Sequence, residues 1–274
     1  MGDGSIPSSG SSGTAVREAG HRSGIRFGVL GPLEVVHDGN PIALGGPKQR
    51  TVLAHLIVRA NQVVPADVLI DLVWGEELPD VVRTSLQSYV SNLRRALGPW
   101  RLQGRTPGYI LHLRPDELDS ARFEARVREA READRPELIA SGLREALALW
   151  RGPPFADLAS EDPLVGEIAR LNDLHLQALE ERIEADIALG RHLEILGELE
   201  VLTHEHVLRE RLWGHLILAL YRSGRQSEAL AAYQRLRDVL AHELGIDPSR
   251  ELQELHQKVL RQDGSLELRG EELR

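Results

Sequence analysis

The sequence predicts two domains, an α+β domain followed by an all-α domain. β-prone runs flank helical periodicity up to about residue 114, and helical periodicity alone follows that point. The formal charge also changes sign there: residues 25–114 hold 10 basic and 7 acidic residues, whereas residues 115–274 hold 21 and 33. A chain of 274 residues is long enough for two separate cores.

Composition excludes several classes of protein. The chain has no cysteine, which rules out disulfides and cysteine-ligated metals and fits a reducing, cytoplasmic compartment. No apolar run approaches the roughly 20 residues that span a bilayer, so no membrane association is expected. Residues 1–24 lack an apolar signal core and are predicted to form a flexible tail.

The predicted α+β domain, residues 25–114, begins with short strands. Apolar residues cluster in "FGVL" and "LEVV", and Asp38-Gly39 supplies a turn typical of hairpins. The period then changes, and a first helix is predicted to begin at Pro47. A second, short helix is predicted to end near Gly75.

A third helix follows, and a hairpin closes the domain. Asp80 is the predicted N-cap of this helix and Gly98 its terminator. "WRLQGRTPGYILHL" then gives two β-prone runs joined by a Gly/Pro-rich turn. The order of elements is therefore strands, three helices and a hairpin.

The third helix has two distinct faces. Apolar residues at helical spacing predict a core face: Val82, Leu86, Val90, Leu93 and Leu97. The other side presents polar side chains, and residues 81–115 hold six arginines and no acidic residue. Polar outer faces are the rule on amphipathic helices, but a face without carboxylates is also free of repulsion toward a polyanion. Arg101, Arg105 and Arg114 of the hairpin are expected to extend this basic surface.

The C-terminal part, predicted as residues 115–263 with a tail or linker over 264–274, contains one visible repeat. Gly190-Arg191 and Gly224-Arg225 lie 34 residues apart, the period of tetratricopeptide repeats. The second copy fits that consensus through Trp213, Leu216, Gly224, Ala229 and Tyr233. The first copy is degenerate, with Ile195 and Leu199 where Ala and Tyr would stand.

These blocks together resemble a known family. "RTSLQSYVSNLRRALG" and "RTPGYIL" resemble the recognition helix and wing of OmpR-type winged helix-turn-helix domains. "FGVLGPLEV", "GGPKQRTVLAHLIVRANQVV" and "LVWGEELPD" narrow the resemblance to the Streptomyces antibiotic regulatory protein (SARP) family of bacterial transcription activators. The fold class implied is an α+β winged helix-turn-helix domain followed by an all-α, tetratricopeptide-like bacterial transcriptional activation domain.

The resemblance also implies partners. Two protomers would bind direct repeats in promoter DNA near a −35 element and recruit RNA polymerase holoenzyme, including sigma factor, at secondary-metabolite genes. The protein would then be nucleoid-associated in a bacterial cytoplasm. Some relatives continue into an ATPase, so the chain is also compatible with the front part of a larger regulator.

We hypothesise that the third helix enters the major groove. The candidates for base contacts are Gln87, Ser88, Ser91, Asn92 and Arg94. The candidates for phosphate contacts are Lys48, Gln49, Arg50, Arg83, Thr84, Tyr89, Arg95 and Arg105. The spacing between Arg83 and Leu93 is one residue longer than in typical OmpR-type helices. The contact expected of each residue at the start of the helix therefore depends on where the extra residue is placed.

Other chemistries are disfavoured. His204 and His206 would point about 200° apart on a helix, so they cannot readily share a metal ion, and no cofactor or metal is expected. "GGPKQRT" lacks the spacing of a phosphate loop, and no catalytic motif appears, which argues against an enzyme. The alternative function is a tetratricopeptide-type adaptor whose winged domain does not read DNA.

Overall fold

The computed structural model describes residues 24–75, 81–158 and 164–267, and it has the predicted architecture: a small winged β-sheet domain followed by a helical domain. The predicted N-cap Asp80 and nearly all of the predicted tail, residues 1–24, lie outside the described residues. Within the described ranges, no helix is both long and apolar enough to cross a lipid bilayer.

The first sheet is a three-stranded antiparallel meander. It consists of β1 (Ile25–Gly28), β2 (Glu34–His37) and β3 (Asn40–Pro41), paired in that order. The turn between β2 and β3 has Asp38 at φ 49° and Gly39 at φ 82°. Two successive left-handed residues are what a tight hairpin of this twist requires, so the predicted turn is confirmed.

Three helices follow: α1 (Pro47–Val58), α2 (Ala66–Trp74) and α3 (Val82–Leu97). Helix α1 begins at the predicted proline, whose missing N–H costs nothing in the first turn. Helices α2 and α3 end at Gly75 and Gly98, both with positive φ. Glycine adopts this conformation without a steric penalty, so both predicted ends are confirmed.

The predicted hairpin is formed by β5 (Leu102–Arg105) and β6 (Gly108–Leu111). A third strand, β4 (Val64–Pro65), pairs with β6 and gives the order β4-β6-β5. This strand was not predicted. A two-residue run that ends in proline has no periodicity to detect and becomes a strand only because β6 lies beside it.

The rest of the described chain is almost entirely helical. After a short 3-10 turn at Pro115–Glu117, the helices are α4 (Asp119–Arg131), α5 (Pro136–Leu147), α6 (Val165–Ala188), α7 (His192–Glu205), α8 (Glu210–Arg222), α9 (Gln226–Glu243) and α10 (Arg250–Arg261). Residues 264–266, the start of the predicted tail, form a further 3-10 turn. Its Leu266 packs in the core.

The two copies of the predicted repeat have the same local geometry. Gly190 lies between α6 and α7 at φ 75°, and Gly224 lies between α8 and α9 at φ 74°. In each copy the N–H of the following arginine donates to a carbonyl five residues earlier, at 2.9 Å. The degenerate side chains of the first copy, Ile195 and Leu199, are buried as the consensus residues of the second copy are.

The buried apolar residues form two clusters. One extends from Ile25 to Ala178 and joins the winged domain to α4, α5 and the first half of α6. The other extends from Ile183 to Leu266 and holds the last four helices together. Hydrophobic packing therefore continues across residue 114, where the sequence changes from mixed to helical periodicity.

A buried carboxylate ties α4 to the first strand. Asp119 accepts hydrogen bonds from the backbone N–H of Val29 at 2.8 Å and of Leu30 at 3.0 Å. Burial raises the pKa of Asp119, and the two N–H groups and Arg151 offset this only in part. Since the N–H groups at the end of a strand have no ladder partner here, the carboxylate satisfies them and fixes α4 against the sheet.

Candidate nucleic-acid interface

Helix α3 turns one side to the core and the other to solvent. Leu86, Val90, Leu93 and Leu97 are buried, and Val82 is partly buried against the same cluster, which confirms the predicted core face. The exposed polar residues are Arg83, Thr84, Gln87, Ser88, Ser91, Asn92 and Arg95. The outer surface of the helix therefore offers only neutral or positive groups.

The centre of this face is available to a ligand. Gln87 and Ser91 lie one turn apart, and neither side chain has a hydrogen-bond partner among the described residues. The Ser88 hydroxyl donates to the Thr84 carbonyl at 2.9 Å, which leaves the serine oxygen as an acceptor. These short and medium side chains have the donors and acceptors that base edges require.

Arg94 lies beside this face and is half-buried. Its Nε donates to the carbonyl oxygen of Leu102 on β5 at 2.8 Å. The bond ties α3 to the hairpin and restricts the guanidinium to one region of the surface.

Lys48, Gln49 and Arg50 at the start of α1 were predicted to contact phosphates, and of these three Lys48 is the exposed one. Lys48 is exposed, and its Nζ lies 5.3 Å from the centroid of the Trp74 ring. Gln49 is buried, and its side chain donates to the Leu44 carbonyl and accepts from Asn92. The hydrogen-bonding atoms of Gln49 are thus engaged inside the domain.

Arg50 makes a contact between domains. Its guanidinium donates from Nε to Oδ2 of Asp157 at 2.8 Å and from Nη2 to the Leu33 carbonyl. Asp157 also accepts from the N–H of Leu33 at 2.6 Å. The side chain that was predicted to hold a phosphate instead links α1 to the helical domain.

Tyr89 belongs to an aromatic stack that the sequence did not reveal. Its ring lies parallel to that of Trp74, with centroids 5.9 Å apart and an interplanar angle of 8°. With Lys48 over the other ring, the three side chains connect α1, α2 and α3 along one wall of the surface. The available sequence signal was only that Trp74 is the last residue of its helix, which does not identify its partner.

Two further arginines flank the face. Arg83 forms an exposed ion pair with Asp67 at 2.7 Å, and such pairs exchange readily with solvent and other anions. Arg95 is exposed and lines an open cleft of about 590 Å³ together with Trp100. Both lie on the solvent side of α3, as predicted.

The three hairpin arginines have different environments. Arg105 is exposed at the tip, directly across the ladder from Gly108. Arg114 is exposed but lies 3.1 Å from Glu117. Arg101, expected on the basic surface, is instead buried: its guanidinium donates to both oxygens of Glu117 at 2.8 and 2.7 Å and lies over the Trp100 ring. Of these three arginines, Arg105 has no ion-pair partner among the residues that the structure describes.

The Arg101–Glu117 pair also sets the ionisation of the acid. Burial by itself raises the pKa of Glu117, but hydrogen bonds from Arg101 and from the Arg114 N–H, with the charges of both arginines, bring the pKa below its ordinary value. The carboxylate therefore stays ionised and holds the hairpin to the first residues of the helical domain.

The acidic helical domain leaves the polar face of α3 uncovered. Its polar contacts with the winged domain involve residues 29–34, Arg50, Arg101 and Arg114, and among the described residues none of these contacts reaches α3. Gln87 and Ser91 remain exposed, and Arg94 is half-buried against β5. The surface on which the functional hypothesis depends is thus accessible from solvent.

Comparison with known families matches both parts of the chain. Residues 39–114 match the model described as "Transcriptional regulatory protein, C terminal". Residues 118–260, about half of the chain, match the model described as "Bacterial transcriptional activator domain". The first match contains α1, α2, α3 and the hairpin, and the second contains α4 through most of α10.

Individual relatives match both parts of the chain as well. Regulatory protein AfsR of Streptomyces coelicolor is 42% identical over 246 residues, which are 88% of this chain and 25% of AfsR. Regulatory protein DnrI of Streptomyces peucetius is 38% identical over 263 residues, which are 91% of this chain and 97% of DnrI. The solved structure of Mycobacterium tuberculosis EmbR in complex with a low-affinity phosphopeptide superposes with a TM-score of 0.83 at 41% identity, covering 88% of this chain and 66% of that one.

The length of these relatives varies more than the shared region does. The chain spans a quarter of AfsR and 63% of the EmbR sequence, but nearly all of DnrI. In each case the aligned region includes both the winged and the helical parts of this chain. The chain belongs to the Streptomyces antibiotic regulatory protein (SARP) family of transcriptional activators.

Proposed function

We propose that the protein is a sequence-specific DNA-binding transcription activator that inserts α3 into the major groove. The observation that carries this proposal is the exposed, carboxylate-free face of α3. At its centre lie Gln87 and Ser91, whose side chains have no hydrogen-bond partner in the described part of the chain. In the groove, these side chains would meet base edges, while charges at the margins would meet phosphates.

The proposed set of DNA contacts is smaller than the set predicted from the sequence. Gln87, Ser88, Ser91, Asn92 and Arg94 remain the proposed base contacts. Lys48, Arg83, Thr84, Tyr89, Arg95 and Arg105 remain the proposed phosphate contacts. We leave out Gln49 and Arg50, because their polar atoms bind protein groups within and between domains.

The same proposal includes partners and context. Two protomers bind direct repeats near a −35 element as a homodimer and recruit RNA polymerase holoenzyme, including sigma factor. The regulated genes are those of secondary metabolism. Family membership supports these points, and the helical domain, with its excess of acidic residues, suits contacts with protein rather than with DNA.

The decisive experiment is a binding titration. A DNA site is selected from a random oligonucleotide pool, and the affinity for that site is compared with the affinity for random DNA at several salt concentrations. Sequence-specific binding with a log–log salt slope of about 0.9 per neutralised phosphate is expected. Equal affinity for both DNAs would favour the adaptor function, and a flat salt response would contradict the electrostatic argument.

A matched pair of variants locates the interface. Gln87→Ala, on the outer face of α3, is expected to lower affinity for the selected site more than for random DNA. Gln257→Ala removes another exposed glutamine, from α10, far from the winged domain in sequence, and is expected to change neither affinity. Equal effects of the two variants would place the interface elsewhere.

A further inference from the structure

A chain of hydrogen bonds leads from the surface of α3 into the winged domain. The exposed Asn92 donates from Nδ2 to Oε1 of Gln49 at 3.3 Å. Gln49 is 8% exposed and donates from Nε2 to the backbone carbonyl of Leu44 at 2.9 Å. These two hydrogen bonds thus connect a proposed base contact, through a buried amide, to a fixed backbone atom.

The direction of this chain is set by the backbone. A carbonyl oxygen only accepts hydrogen bonds, so the nitrogen of Gln49 must face Leu44 and its oxygen must face Asn92. The nitrogen of Asn92 must then face Gln49, which turns Oδ1 of Asn92 away from the domain. Rotating either amide by 180° would place like atoms against each other and lose the bonds.

The surroundings of Gln49 leave little room for another arrangement. Gly45, at φ 78°, lies against this side chain, and a Cβ atom at this position would come within 2.6 Å of Nε2 of Gln49. A glycine here allows the amide to reach the Leu44 carbonyl. The Gln49 side chain therefore packs against the loop before α1, and both the nitrogen and the oxygen of its amide are hydrogen-bonded.

We propose that Gln49 is a positioning residue that presents Asn92 to DNA as a hydrogen-bond acceptor, so that Asn92 selects a base with an exocyclic amino group in the major groove. This inference rests on the proposed DNA-binding function. Adenine offers N6–H₂ and cytosine offers N4–H₂ there, whereas guanine and thymine offer acceptors. Oδ1 of Asn92 would thus favour adenine or cytosine at one position on one strand of the site.

The test measures discrimination at each base pair. Every position of the selected site is replaced by the other three pairs, and affinities are measured for the wild type, Asn92→Ala, Gln49→Met and the double variant. At one position, the preference for adenine or cytosine is expected to fall about fivefold or more in both single variants. The double variant is expected to show no further loss, because both side chains serve one contact.

A structural role alone would give a different result. If Gln49 only stabilised the domain, Gln49→Met would weaken binding to all sequences equally and leave the preference at every position unchanged. Gln257→Met, on the outer surface of α10, is the matched control and should match the wild type. A folded Gln49→Met protein with wild-type discrimination at the Asn92 position would overturn the inference.

Base analogues test the same contact without altering the protein. At the position where Asn92→Ala loses discrimination, adenine is replaced by purine or cytosine by 2-pyrimidinone, each of which lacks the exocyclic amino group. The wild type is expected to lose affinity while Asn92→Ala is not. An unchanged wild-type affinity for the analogue would overturn the inference while specific binding itself stands. Absence of any sequence preference would instead remove the proposed function.

Discussion

Arginines in the two halves of the molecule have different surroundings. In the helical domain, Asp186 is fully buried and is contacted by Arg144, Arg182 and Arg191. Around α3 and the hairpin, Arg95 and Arg105 are exposed and have no ion-pair partner among the described residues. The comparison shows that the number of arginines does not define a basic surface; the carboxylates within reach decide which charges remain available.

The winged domain contains both kinds of arginine. Arg101 lies in the basic stretch of the sequence but is buried against Glu117, as the arginines of the helical domain are paired with acids. Arg105, four residues later, is exposed at the hairpin tip. Arg101 and Arg105 therefore test most directly whether nearby carboxylates decide which arginine charges remain available.

The largest effect is expected for Glu117→Gln. This substitution keeps the shape of the side chain but leaves the Arg101 guanidinium buried without a counter-charge. We expect the free energy of unfolding to fall by about 3 kcal/mol, as for other buried pairs that lose one partner. Urea denaturation would measure it, and a loss below about 1 kcal/mol would show that the pair is not structural.

The Arg101–Glu117 pair also makes the free energy of unfolding depend on pH. Because the pKa of Glu117 is lowered in the folded protein, its contribution to stability is present above the ordinary pKa of about 4.3 and is lost as pH falls through the folded value. The difference in unfolding free energy between the wild type and Glu117→Gln should thus be constant near neutral pH and shrink below about pH 4. A difference that grows on acidification would contradict a lowered pKa of Glu117 in the folded protein.

Next in size is Arg94→Ala. Its Nε is held by the Leu102 carbonyl, so the guanidinium is pre-positioned and loses little entropy on binding. If it reads a guanine, the variant should lose about 1–3 kcal/mol of binding free energy for the selected site and relax the preference at one base pair. A uniform loss over all sequences would identify a phosphate contact instead.

A smaller and less specific effect is expected for Arg105→Ala. Loss of one phosphate contact should reduce the salt slope by about 0.9 and weaken selected and random DNA alike. Its free energy of unfolding should match the wild type, in contrast to Glu117→Gln. Arg128→Ala, which removes an exposed arginine from α4, is the control and should leave the salt slope unchanged.

The smallest effect is expected for Arg250→Ala. Arg250 pairs with Glu254 on the surface of α10, and the arginine side chain is 90% exposed. Water screens such a pair, so neither the urea midpoint nor DNA affinity should change measurably. A clear loss of stability would mean that exposed pairs of the helical domain contribute more than their accessibility indicates.

Local patterns predicted most of the fold. The start of α1 at Pro47 and the ends of α2 and α3 at Gly75 and Gly98 were predicted, because proline and glycine act through their own backbone geometry. The core face of α3 was predicted because helical periodicity is a property of adjacent residues. Strand β4 was missed, because its pairing depends on β6, more than 40 residues later.

The sequence by itself determined the two-domain architecture, the family and the side of α3 that faces solvent. Only the tertiary structure decided which polar groups on that side remain available. Arg50 meets Asp157, 107 residues away, and Asn92 meets Gln49, 43 residues away. Periodicity and caps are set by neighbours along the chain, whereas ion pairs and hydrogen-bond chains depend on distances in space that folding creates.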